Sequence, residues 1–158
     1  MAFSKFSDVK KLPSILTLFL LLAGCNSVPT RDTTVQLPTT TMHIGDETFI
    51  LEKATTPAQQ EKGLMFRDTL PPDHGMIFIS PKAFSQTYWN ANVRFGLDNV
   101  FLDDNANIVS IQHMNAYDET STQPVMAKYV IELNTGTPTK VGIKVGDHLT
   151  LPPDAVNP

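Results

Sequence analysis

The chain has 158 residues, 41% of them hydrophobic and 18% charged, and a formal net charge of −4. That length and balance fit an ordinary globular protein with one hydrophobic core. The acidic balance, without a cluster of Lys or Arg after the first few residues, argues against a nucleic-acid partner, and a single Cys excludes an intramolecular disulfide.

Residues 1–24 read as a lipoprotein signal peptide. Lys5, Lys10 and Lys11 give it a positive start, as export leaders have. The apolar stretch 12–22 that follows is about half the ~20 residues a helix needs to cross a membrane. Ala23 and Gly24 supply the small residues that cleavage requires. Leu22-Ala23-Gly24-Cys25 resembles the bacterial lipobox, which implies cutting before Cys25 and acylation of its thiol and new amine. The lone Cys falls on that motif. Stable anchoring needs two or more acyl chains, each buried methylene contributing about 0.8 kcal/mol. The membrane, reached through a lipid anchor, is therefore the first expected partner. Asn26 follows Cys25; by resemblance to enterobacterial sorting it implies the outer membrane, facing the periplasm. Residues 25–41 hold the lipidated Cys25 and a Thr- and Pro-rich stretch with few large apolar groups, an expected tether.

From residue 42 the pattern changes to short strands. Segments 41–44 and 47–53 flank Gly45-Asp46, a gap suited to a tight hairpin with positive φ at the glycine. Thr56-Thr-Pro-Ala-Gln-Gln-Glu-Lys-Gly63 predicts a helix of about two turns, with Thr56 as cap, Gln59 closing a capping box and Gly63 ending it. Segment 75–79 reads as a buried strand stopped by Pro81. Strands over 99–102 and 108–112 are joined by the turn-rich Asp103-Asp-Asn-Ala-Asn107. Further strands are predicted at 129–133 and 148–151, with a short helical turn from Thr137 that Gly142 closes. Many short strands and one or two short helices predict a mainly β domain over 42–158, a small barrel or sandwich, with α+β as the alternative class.

Six motifs then follow in order: Gly63-Leu-Met-Phe-Arg67, Gly75-Met-Ile-Phe78, Tyr88-Trp89, Leu97-Asp-Asn-Val-Phe101, Tyr129-Val-Ile-Glu-Leu133 and Gly142-Ile-Lys-Val-Gly-Asp147. Together they resemble the bacterial and archaeal domain of unknown function 192 family, over about residues 42–152. The resemblance implies a compact, mostly β domain, often exported or lipid-anchored, and no established reaction. It departs at Asn90 and Ala91, where the family reads Met-Lys, so an activity that used that lysine would not carry over. The family's Asn and Asp are kept as Asn92 and Asp98.

Four side chains are candidates for ligand binding. Asp98 lies in an apolar run, where an unpaired carboxylate would have a raised pKa and serve as acid or base, and a paired one would pin a turn. Asn92 is its expected neighbour. Arg67 offers a planar fork for an anion, or for a carboxylate of this chain. Trp89, beside Tyr88, offers a stacking face or a core ring. No metal site is expected: His43, His74, His113 and His148 lie far apart, and the Asp103-x-Asn105-x-Asn107 run lacks the glycine and the final Glu of a calcium loop. No cofactor loop and no nucleophile elbow are present. The expected function is a non-enzymatic envelope module binding a small polar ligand, glycan or protein near Arg67, Trp89, Asn92 and Asp98. A hydrolase using Asp98 as general acid or base, and a structural envelope protein, are the alternatives. The oligomeric state is left open.

Overall fold

The computed structural model describes residues 36–156. Cys25, the leader and most of the expected tether lie outside those residues. The chain order is β1 (Thr39–Ile44), β2 (Glu47–Ala54), α1 (Pro57–Lys62), β3 (His74–Gln86), β4 (Leu97–Leu102), β5 (Ile108–Met114), β6 (Val125–Asn134), α2 (Thr137–Lys140) and α3 (Pro153–Val156). β1 starts at Thr39, so the last residues assigned to the tether are paired to β2.

The fold is mainly β, as expected, and among the described residues the strands form one open sheet and not a closed barrel. Their order is β1-β2-β3-β6-β4-β5. β1 and β2 form the predicted hairpin, with Gly45 at φ +59. α1 carries the predicted capping box: the Thr56 hydroxyl accepts from the Gln59 N–H and the Gln59 side chain accepts from the Thr56 N–H. Gly63 ends the helix at φ +45, with ψ −132 in place of the expected left-handed helical value. The crossover through α1 makes β2 and β3 parallel, a pairing that a hairpin cannot make.

Two expected strands differ in the fold. Pro81 does not end β3. Proline has no N–H for the ladder, so the register against β6 breaks between Ile79 and Phe84 and resumes at Phe84↔Ala127. The expected strand at 148–151 is reduced to one bridge, Asn107↔His148. The turn α3 follows it, tied back to the sheet by Asp154, which accepts from Thr40 at 2.7 Å and pairs with Lys53 at 2.8 Å.

Side chains alternate across a strand, so residue parity assigns each face. One face buries Ile44, Leu51, Ile77, Val100, Tyr129 and Ile131, and Leu149 and Ala155 cover it. The other buries Ala54, Phe78, Phe101 and Val130, and Leu64 and Leu70 of the α1–β3 segment and Val93 of the β3–β4 segment cover it. Burial on both faces explains why β4 is buried at every position, a pattern typical of central strands.

Candidate functional site

The second face is not uniformly apolar. Register places Glu52 beside Met76, Met76 beside Glu132, Glu132 beside Asn99, and Asn99 beside Gln112. These five positions make one row across five strands. The adjacent row, Ala54, Phe78, Val130 and Phe101, is apolar. Four polar side chains thus cross a covered sheet face, and each needs partners to offset its lost hydration.

The ends of the row have them. The Arg67 guanidinium reaches both oxygens of Glu52, the Nη2–Oε2 contact being 2.8 Å. That hydrogen bond, ahead of the opposing effect of burial, raises the Arg67 pKa. The Gln112 amide clamps Gln123, accepting from its N–H at 2.8 Å and donating to its carbonyl at 3.1 Å.

The middle does not. Asn99 is fully buried, and its Nδ2 and Oδ1 have no hydrogen-bond partner among the described residues. Glu132 is 5% exposed. Burial pushes its carboxyl up to about 8, although nearby Arg67 pulls the other way. The row therefore holds, side by side on neighbouring strands, a carboxamide unpartnered among the described residues and a buried carboxyl group with a raised pKa.

Glu132 reaches a cavity of about 40 Å³. Gly63, Leu64 and Met65 line it on one side and Tyr88, Trp89 and Val93 on another, with Phe78 from the sheet. Tyr88 is held rigidly: its ring packs edge-on against Phe78 and Phe101, its N–H donates to the Thr122 hydroxyl at 3.0 Å and its O–H to Gln86 at 3.1 Å. Burial, reinforced by Glu132, keeps the Tyr88 phenol protonated. Trp89, next in the chain, is 56% exposed at the rim. Two more exposed aromatics, Phe66 and Tyr117, stand on backbone at φ +67 and +57. Their N–H groups donate to the consecutive carbonyls of Asn92 and Val93. A left-handed backbone costs a residue with a side chain about 1–2 kcal/mol, which those two bonds help to offset.

The four candidates from the sequence fall on both sides of the sheet. Arg67 and Trp89 belong to the Glu132 region. Asn92 is exposed beside it, its carbonyl holding Phe66 and its amide 3.6 Å from the Met65 sulfur. Asp98 has the opposite parity from Asn99 and faces away, pairing in register with Leu133. Its Oδ2 accepts from the Gly136 N–H at 2.7 Å, and its Oδ1 lies 2.9 Å from His113 Nδ1. That contact raises the His113 pKa. Asp98 and Asn92 are therefore not neighbours across a site. Asn90, which stands where the family has Met, is buried and donates to the Phe95 and Asn115 carbonyls. It pins the β3–β4 segment that carries Trp89.

Glu132 and Asn99 were not singled out in the sequence. The available signal was a Glu inside Tyr129-Val-Ile-Glu-Leu133, a strand otherwise apolar at successive positions. The calcium-like run is a self-contained turn: Asp103 accepts from the N–H groups of Asn105 and Asn107 and from the Asn107 amide.

Comparison with known proteins agrees with this architecture. The sequence model of a family described as Uncharacterized ACR, domain of unknown function 192, matches residues 39–151. A protein from Novosphingobium aromaticivorans DSM 12444, of unknown function, is 34% identical with a TM-score of 0.61, over 72% of this chain and 84% of that one. A protein from Sinorhizobium meliloti 1021, provisionally named a transcription regulator, is 33% identical with a TM-score of 0.60, over 71% of this chain and 90% of that one. No curated protein matches.

Proposed function

We propose that this chain, which belongs to the domain of unknown function 192 family, is a non-enzymatic binding module of the bacterial cell envelope. It takes the polar end of a small ligand in the cavity over Glu132, beneath Trp89. One observation carries this reading: Asn99 buries a complete carboxamide with no partner among the described residues, directly beside the buried carboxyl of Glu132. A buried polar group left unsatisfied costs about 1–3 kcal/mol. A sheet face needing only cohesion would hold apolar side chains there. Glu132, the member of that row that lines the cavity, is the group a ligand would reach, with Asn99 buried beside it.

The alternative of a hydrolase using Asp98 is less favoured, because both Asp98 oxygens are engaged and the residue faces away from the cavity. The regulator name of one relative finds no support in this chain's acidic charge. The experiment is thermal-shift screening of the purified protein against small polar compounds, sugars and amino-acid derivatives, with Asn99→Leu as control. Ligands of this site raise the melting temperature of the wild type and not of the variant. If the variant keeps every shift, the reading is wrong.

The envelope address rests on the leader and Cys25. In this reading Cys25 is lipidated and Asn26 directs the protein to the outer membrane, facing the periplasm. Cys25→Ser then moves the protein from the membrane fraction to the soluble fraction or leaves its leader uncut. A normally processed, membrane-bound variant would refute the anchor.

A further inference from the structure

The polar row leaves a question that the binding reading alone does not answer, namely which chemistry the cavity receives. We infer that it receives a cation, the protonated amine of a small ligand whose apolar body lies against Trp89. The inference rests on the binding reading and adds the class of ligand to it.

Charge is the first argument. Arg67 spends one N–H of each terminal nitrogen on Glu52 and acts on Glu132 through its charge. A neutral ligand can satisfy a lone pair of Glu132, whereas an ammonium satisfies the lone pair and offsets the buried charge as well. The groups around Glu132 allow it. Met76 and Asn99, on its two neighbouring strands, are uncharged. Tyr88 stays protonated. Glu61 and Lys62, of opposite sign, lie at the mouth, and Lys62 makes no ion pair among the described residues. The Arg67–Glu52 pair is neutral as a unit.

The walls are the second argument. Phe78, Tyr88 and Trp89 line the cavity, and aromatic faces attract cations, Trp most strongly. Size is the third. A cavity of about 40 Å³, against the ~10–15 Å³ that one water needs on that measure, has room for an ammonium group, and the rest of the ligand lies over the exposed face of Trp89.

The test uses Trp89 as its own probe, since the chain has one Trp. The purified protein is titrated with benzylammonium chloride, benzyl alcohol and sodium benzoate, following fluorescence at about pH 6 and about pH 8. Benzylammonium gives a saturable change, with the alcohol and benzoate at least about tenfold weaker. Its affinity rises at least about tenfold between the two pH values, because the bound cation favours ionised Glu132. Glu132→Gln, shown folded by its melting curve, loses the response. Equal or tighter binding of the alcohol or benzoate overturns the inference, as does affinity that is flat or falls with pH, or no change with any of the three. The pH and charge series is read on the wild type, so it stands even if the variant does not fold. An overturned inference with ligands still lost on Asn99→Leu leaves the binding reading intact; shifts retained by Asn99→Leu remove both.

Discussion

Replacing Glu132 by Gln should stabilise the protein, by an amount that grows with pH. The carboxyl stands at about 8 in the fold against an ordinary 4.5, because burial penalises its charged form. A raised folded value means that the native state holds a proton the unfolded state has released. Stability is then fully present below the unfolded value and is lost as pH rises towards the folded one. At roughly 1.4 kcal/mol per pH unit the whole interval carries about 5 kcal/mol. Gln keeps the shape and the unsatisfied polarity but does not titrate. The two proteins should differ by less than about 1 kcal/mol near pH 5, and the advantage of Gln should grow by about 4 kcal/mol on reaching pH 9. Urea denaturation of both proteins at about pH 5, 7 and 9 measures this, the midpoints being compared at equal slope. A difference independent of pH, or a variant that loses ground as pH rises, would refute the claim that Glu132 is buried without a counter-charge of its own.

Three further outcomes follow from the same geometry. Arg67→Ala strands Glu52 and removes the cation that attracts Glu132; with the pair partly exposed, at 30% and 18%, the loss should be about 2 kcal/mol by urea denaturation near pH 7. Asp98→Asn removes the anion that raises His113, so its melting-temperature deficit should be largest below the ordinary His value of 6.5 and shrink as pH passes above the raised one. A constant deficit would mean that only the Gly136 contact matters. Gly75→Ala places a Cβ 2.6 Å from the Glu132 carbonyl and 2.9 Å from Leu51 and Leu133 side-chain carbons. The strands cannot separate cheaply, so it should destabilise by about 3 kcal/mol, and an unchanged melting temperature would contradict that packing.

Local signals were legible where the chemistry is local. The Thr56–Gln59 box, Gly45 in its hairpin and the Asp103 turn each act within a few residues, and the fold places all three as their spacing implies. The failures are non-local. Pro81 reads as a stop because its missing N–H is visible in sequence, whereas the irregularity that lets β3 continue to Gln86 depends on β6, far along the chain. The segment after His148 reads as a strand from its apolar residues. Leu149 is buried against the first face without a continuing ladder, and the bonds that hold the segment come from Ala106 and Asn107.

The candidate site shows the same division more sharply. Asp98 drew attention because a carboxylate in an apolar run is conspicuous, and Glu132 sits in just such a run. Nothing within five residues tells them apart. What separates them is the partner each meets across the sheet. Asp98, at the end of β4, meets the Gly136 N–H and His113. Glu132, in β6 between two central strands, meets Met76 and Asn99. The strand end gives a carboxylate free backbone donors, and the strand interior has already spent its own on the ladder. A polar residue deep in a central strand therefore has only side chains or a ligand to turn to. Of the neighbours register gives Glu132, Met76 offers no donor, and Asn99 is itself unpaired among the described residues. The proposed function therefore centres on Glu132 and not on Asp98, with Arg67 and Trp89 approaching the same row from the segments that cover it.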